Sequence, residues 1–364
     1  MTAAAARDAR TVDLLVVGLG PGGASAARTA AQAGLSVLAI ERNRVVGEPV
    51  QCAEFIPRPM GGYAQREGVL LQRIEGMKTA LPSGAVDESG LPGLMIDRAA
   101  FDRVIAQQAQ AAGAELWTRA RLVGLEPESR IATIRHAGEP KRVRYQVLVA
   151  ADGPHSPSAE LLGLDALPVV QTRQYTVPLL RPYYDTDIWL NDAYPGGYGW
   201  LFPRGAVANL GLGADRRWED NLKRPLETLH RTLVRRGLVG ESVQARTGGA
   251  IPVGGLRERL YHGRCLFVGD AAGLTHPITG AGIAAAVVSG EAAGRAGAAW
   301  LDEDDEAFED YDEDVRDQYE VALQRAVARR RYLAQFWGTE AANDDAVMRR
   351  GWIAFDEYFA AEPE

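Results

Sequence analysis

The sequence predicts an α/β fold in which a parallel-sheet domain carries an inserted antiparallel sheet, in the α+β manner, and is followed by helices. Three observations predict it. Between residues 12 and 40 an apolar run, a glycine-rich turn, a small-residue segment and a second apolar run follow one another. Far downstream, another apolar run ends in Gly269-Asp270, and the stretch between, from about 168 to 260, is strand-like with turn signals such as Pro195-Gly196-Gly197.

Taken in order, VDLLVV at 12–17 is apolar on both faces, as a central parallel strand must be. Gly22 to Gly34 predicts a small-residue helix and Ser36 to Ile40 the next strand, which completes one βαβ unit. An irregular stretch, 42–62, follows. Helical spacing runs over 98–113, then strands at about 115–119, 121–126, 131–136 and 143–150 lead to Ala151-Asp152-Gly153. A helix near 217–237 interrupts the strand-rich region. The run GRCLFV at 263–268 is a buried strand, and Gly280 to Leu301 a helix that returns to the first domain. The parallel-sheet domain is therefore discontinuous, made of 1–62, 96–165 and 262–301, with 63–95 and 168–260 forming the inserted sheet. The remainder, 302–364, reads as a C-terminal helical segment. Its acidic run at 302–314 and its arginines at 329–331 complement a helix dipole and predict a solvated helix.

Composition narrows the function. With 364 residues and 46% hydrophobic content the chain can bury a large core, and a net charge of -8 argues against a nucleic-acid partner. The two cysteines, Cys52 and Cys265, form neither a disulfide framework nor a metal-ligand spacing, so no metal is expected. The N-terminal MTAAAARDAR lacks a signal-sized apolar core, and no segment approaches the roughly 20 apolar residues of a membrane span. The expectation is a cytoplasmic protein, with at most peripheral membrane contact.

Two turns carry the cofactor chemistry. Gly18-Leu19-Gly20-Pro21-Gly22-Gly23 is a G-x-G-x-x-G between strand and helix. Gly18 permits the tight turn, Gly20 lets the backbone approach a pyrophosphate, and Gly23 lets helix and strand pack, while the helix start offers amide protons. Glu41 ends the second strand, where a carboxylate accepts from an adenosine ribose. The second turn separates FAD from NAD: Asp270 can take a ribityl hydroxyl, and the amides of Gly282 and Ile283, after Gly280, can face a flavin or a pyrophosphate. The Rossmann-type site so assembled predicts a flavoprotein.

The order of these motifs, with Ala151-Asp152-Gly153 between them, resembles the p-hydroxybenzoate hydroxylase class of FAD proteins, over the chain up to about residue 300. Within it, Tyr198-Gly199-Trp200-Leu201-Phe202-Pro203 matches the Y-x-W-x-F-P signature of the geranylgeranyl reductase family. Gly47-Glu48-Pro49-Val50-Gln51-Cys52-Ala53-Glu54 is similar to the archaeal digeranylgeranylglycerophospholipid reductase branch. Carried over by position, the resemblance implies FAD contacts at Glu41, Cys52, Ala53, Arg98, Val123, Asp270, Gly282 and Ile283. One departure stands out. The archaeal pattern continues C-A-E-G, whereas this chain has Phe55, so the close backbone approach of a glycine is expected to be missing there.

Aromatics concentrate in the inserted sheet: Tyr175, Tyr183, Tyr184, Trp189, Tyr194, Tyr198, Trp200 and Phe202. Such density suits either an apolar ligand or the sheet's own core. Tyr198 and Trp200 alternate onto one face and belong to the signature, so they, with Phe202, are assigned to substrate. Cys52 reads either as a small hydrophobe or as a thiol beside the flavin, and Cys265 as an inert core thiol. Lys78 lacks the surroundings of a halogenase lysine and reads as surface charge, and the glycine-rich 248–255 does not sit between strand and helix.

The resemblance and the aromatic sheet imply a reductase that saturates carbon-carbon double bonds of an isoprenoid or similarly apolar substrate. Reduced FAD gives hydride, the faces of Tyr198 and Trp200 stabilise charge, and Cys52 is a candidate proton donor. Electrons come from NAD(P)H or a ferredoxin-like donor protein. Two rivals stay open: a monooxygenase or halogenase of the same fold acting on an aromatic or polyketide-like substrate, and a non-catalytic prenyl-lipid escort protein, against which Glu41 and Asp270 argue.

Overall fold

The computed structural model describes residues 10–360. The MTAAAARDAR expectation therefore lies, but for Arg10, outside the described residues. Five strands form the parallel core of the first sheet, in the spatial order Cys265–Phe267, Glu139–Ala150, Arg10–Val17, Val37–Ile40 and Glu115–Trp117. Leu14 to Val17 are buried on both faces of the sheet, as central parallel strands are. The antiparallel hairpin Ala120–Glu126 and Ile131–His136 extends the long strand 139–150.

Two helices lie against each other over this sheet. Pro21–Gln32 and Ile283–Leu301 are made of alanine and glycine where they touch, since a Cβ at Gly290 would stand 2.1 Å from the Gly22 carbonyl oxygen and one at Gly294 2.7 Å from that of Ala26. The alanine-rich composition of 283–301 thus serves backbone-to-backbone packing. This helix starts at Ile283 rather than Gly280, because Gly280 has φ +71° and the glycines ahead of Ile283 form a turn. Arg98–Ala111 is capped by Asp97, whose carboxylate accepts from the Ala100 amide at 2.8 Å.

The second sheet runs Ala245–Thr247, Val169–Pro178, Val207–Ala214, Gly199–Arg204, Asp185–Trp189, Gly76–Ala80 and Val86–Ser89. It is antiparallel except where Asp185–Trp189 meets Gly76–Ala80. The helix of this region spans Lys223–Arg235, shorter than the expected 217–237. Two sequence expectations change here. The stretch 42–62 is not wholly irregular: Phe55–Pro57 is a strand, pairing with Gly93–Ile96, which in turn pairs with Leu70–Ile74 in a separate three-stranded sheet. Residues 63–95 are accordingly shared between two sheets. The C-terminal helix, Ala307–Ala334, is less solvated than its charge suggests, since Phe308, Tyr311, Val315, Leu323 and Ala326 are buried. Arg329, 3% exposed, donates to the Tyr358 carbonyl at 2.9 Å and so fastens the final segment to this helix.

Candidate active site

The first glycine turn divides its labour. Gly18 has φ +99°, and a Cβ there would meet the Ala151 carbonyl oxygen at 2.4 Å; at Gly23 it would meet that of Gly18 at 1.9 Å. These two glycines let the turn close against the sheet. Gly22 would meet Ala286 at 3.0 Å, so it faces the neighbouring helix. Gly20 has nothing within 4 Å in front of it, and as N-cap it offers the helix start no side-chain partner, which leaves the first-turn amides facing open space. Glu41, nearly buried at the end of its strand, is held by the amides of Leu19 at 3.2 Å and Asn43 at 2.8 Å.

The later turn is built as tightly. Asp270 accepts from the Thr275 hydroxyl; burial pushes its carboxyl up, against the opposing pull of Thr275 and Arg98. A Cβ at Gly282 would lie 2.4 Å from the Thr275 hydroxyl oxygen and 3.3 Å from Asp270, so only glycine fits beside that pair. Gly282 is also an N-cap without a side-chain bond, a second uncovered helix start. In the middle motif, Asp152 is spent on its own loop: it accepts from the Ser156 hydroxyl and the Ser158 amide, each at 2.7 Å. Gly153 faces open space.

Both turns open into one cavity of about 610 Å³, lined by Gly18, Gly20, Glu41, Gly153, Asp270 and Gly280–Ile283 and, across from them, by Cys52, Tyr198, Trp200 and Phe202. Open space before Gly20 and Gly153, two uncovered helix starts and carboxylates near either end fit an elongated dinucleotide such as FAD. Ala53 and Arg98 line the same cavity. Val123 does not: it is 40% exposed, and the wall there is made by Ala120, Arg121 and Leu122.

On the far side, Trp200 and Phe202 project from one face of their strand. The Trp200 indole fits because its neighbour is Gly211, where a Cβ would stand 2.3 Å from the ring. Tyr198 donates to the Thr279 carbonyl, lies 5.7 Å from Trp200 and 4.9 Å edge-on from Trp352, and burial pushes its hydroxyl up, so it remains protonated. Phe55 replaces the expected glycine without strain. Its ring rests on Gly93, where a Cβ would be 2.1 Å away, and packs 5.8 Å from Phe202, while the preceding Glu54 takes the left-handed conformation at φ +72°.

Cys52 is half-buried, and its Sγ accepts from the Glu54 amide at 3.2 Å. Burial alone would lower the Arg98 guanidinium, but Asp102 and Cys52 beside it raise it. Glu54, 2% exposed, accepts from the Arg98 amide at 3.1 Å, the Arg204 guanidinium at 2.6 Å and the Asn209 amide at 2.8 Å. Cys265 sits in a core strand, its thiol pushed well up by burial. Lys78 pairs with Asp185 at 2.7 Å, while Thr247, Gly248, Ala250 and Ile251 belong to the same cavity rather than to a second one.

Several lining residues escaped the sequence reading: Gln174, Thr275, Met77, Ile188 and Trp352. Trp352 had no signal at all, because it reaches the cavity from the C-terminal segment. That segment is joined to the later glycine turn by His276, whose Nδ1 accepts from the Thr279 amide at 3.2 Å and whose Nε2 lies 3.3 Å from the Tyr358 hydroxyl. Of the other sheet aromatics, Tyr175 and Tyr194 pack into a separate core, and Tyr183 donates to Asp187 at 2.7 Å.

Comparison with known proteins shows the family and the fold. Residues 13–153 match the family described as FAD dependent oxidoreductase. The digeranylgeranylglycerophospholipid reductase of Methanocaldococcus jannaschii is 34% identical over 307 residues, 78% of this chain and 77% of that protein. A geranylgeranyl bacteriochlorophyll reductase-like structure from Thermoplasma acidophilum superposes with a TM-score of 0.84 at 29% identity, over 95% of this chain and 93% of that one. The flavin-dependent halogenase CmlS shares the fold alone, with a TM-score of 0.73 at 17% identity over 96% of this chain and 70% of that one. The chain belongs to the geranylgeranyl reductase family of FAD-dependent oxidoreductases and has their p-hydroxybenzoate hydroxylase-like fold.

Proposed function

We propose that the protein saturates carbon-carbon double bonds of an isoprenoid or similarly apolar chain. The observation that carries this reading is the aromatic wall: Tyr198, Trp200, Phe202, Phe55 and Trp352 line the same cavity as the two glycine turns. When bound, FAD in its reduced form supplies the hydride. Gly20 and the helix start after it receive the pyrophosphate, Glu41 the adenosine ribose, and Asp270 with the Gly282 and Ile283 amides the flavin end.

The remaining work falls to side chains. The faces of Tyr198 and Trp200, tilted 60° to one another, line the alkene and stabilise positive charge developing on the carbon that accepts the hydride. Cys52 gives its thiol proton to the other carbon of the double bond, leaving the sulfur beside the Arg98 guanidinium. Phe55, Met77 and Ile188 exclude water. Leu91 both lines the cavity and is 40% exposed, so it stands at an opening through which a lipid chain enters. Among the described residues no helix is long and apolar enough to cross a membrane, and contact with the lipid surface at that opening is proposed as peripheral. Electrons arrive from NAD(P)H or from a ferredoxin-like protein.

The test is anaerobic. Dithionite-reduced holoprotein is incubated with a panel of prenyl lipids and quinones, and mass spectrometry follows the gain of hydrogen pairs. Added hydrogens on a prenyl chain are expected, whereas a panel left wholly unreduced would sink the reading. Bleaching of the flavin by NADPH, or by a reduced ferredoxin, separates the two donors.

A further inference from the structure

We propose that Gln174 is a positioning residue that sets the Cys52 loop against Trp200; the inference rests on the reading above for the roles of those two residues. Gln174 lies on the strand Val169–Pro178 and is 4% exposed. Thr172 and Gln174 face the cavity, while Tyr175 turns to the other face and its separate core. The amide oxygen of Gln174 accepts from the Trp200 indole N–H at 3.1 Å, and its amide nitrogen donates to the Cys52 carbonyl at 3.1 Å. Rotating the amide end for end would set donor against donor and acceptor against acceptor, so its orientation is fixed by its two partners.

The loop has other anchors on the same sheet. Asn209 donates to the Ala53 carbonyl at 3.2 Å, and the Thr247 hydroxyl to the Val50 carbonyl at 2.7 Å. Of these three side chains, Gln174 is the one that also holds Trp200. Its removal therefore leaves the loop attached at Val50, Ala53 and Glu54, and frees the Cys52 carbonyl and the indole to drift apart. Thiol and aromatic face act on the two carbons of the same double bond, and a misplacement near 1 Å is enough to cost activity of this kind about 100-fold.

Two variants of the flavin-loaded protein test this, Gln174→Met and Gln174→Glu. The first removes both hydrogen bonds at constant length. The second keeps an acceptor for Trp200 and sets an oxygen against the Cys52 carbonyl. Three quantities are read: flavin content, the rate at which iodoacetamide alkylates Cys52, with the buried Cys265 as internal control, and kcat and KM on a prenyl substrate. Both variants are expected to keep FAD and to alkylate Cys52 at a rate changed at least about threefold. Their kcat should fall about 10-fold or more while KM stays within about threefold.

A wild-type alkylation rate in folded, flavin-bound variants overturns the proposal whatever the turnover assay shows. Loss of flavin from both variants also overturns it, because Gln174 would then be a support of the fold. A changed alkylation rate, in a protein whose wild type reduces no prenyl chain, leaves the positioning role standing and sinks the reductase reading instead.

Discussion

The two walls of the cavity are constructed on different principles. The cofactor wall is backbone against backbone: replacing Gly23 or Gly18 would bring a Cβ within 1.9 or 2.4 Å of a carbonyl oxygen, and no side-chain rotation relieves that. The wall proposed for the substrate is side chain against side chain, drawn from the strand at 199–204, the loop at 52–55 and the C-terminal Trp352. The first tolerates almost nothing, while the second can be resurfaced one side chain at a time. A family that keeps its cofactor and changes its substrate would be expected to vary along this division.

The sharpest break of that contrast is Gly23→Val, which should abolish recovery of folded, flavin-bound protein, read as the 450 to 280 nm absorbance ratio and the melting curve. Gly20→Ala has space before it, so its melting temperature without flavin should stay near wild type while FAD binds more weakly. If Gly20→Ala were as damaging to the apoprotein as Gly23→Val, the division of labour within the turn would be wrong. On the other wall, Trp200→Ala should cost about 3 kcal/mol of stability or somewhat more, and lower kcat at least about 10-fold with FAD retained. Unchanged anaerobic turnover in this variant would remove Trp200 from the site.

The joint between the two walls gives a smaller, pH-dependent effect. Burial pushes His276 down to about 4, so the folded protein holds it neutral while the unfolded chain protonates it near 6.5. The unfolded state binds more protons in that interval, and stability falls as pH drops from 6.5 to 4, by up to about 3 kcal/mol. His276→Gln should flatten this part of a urea-denaturation series measured against pH. Least of all should change with Lys78→Met: its ion pair with Asp185 lies at the surface and contributes no more than about 1 kcal/mol. A large loss of activity there would reopen the halogenase alternative.

What could be read in the sequence follows the same contrast. The parallel strands, the Gly18–Gly23 turn, Glu41 and Asp270 were legible because backbone geometry demands particular residues at fixed spacing. Tyr198, Trp200 and Phe202 were legible through period-two alternation and a family signature. Trp352 and Gln174 were not, since each reaches the cavity through pairings distant in sequence that no local pattern records. The strand Phe55–Pro57 was missed because its partner lies at Gly93–Ile96, and Phe55 looked anomalous until Gly93 was seen beneath its ring. Arg329, Arg330 and the acidic run looked alike as charge. Yet Arg330 is engaged with the Gly196 carbonyl and with Asp215 at 3.3 Å, whereas residues 302–306 are largely exposed.

The close contact between Gly22 and Gly290 ties together the two helices whose starts open into the cavity. A ligand gripped at both ends by such a pair meets jaws that are already set, so little ordering entropy opposes its capture. Escape is expected to be correspondingly slow, since the helix pair would have to separate to loosen both grips. The flavin should therefore travel with the protein through gel filtration and dialysis, and leave only under conditions that pry the helix pair apart.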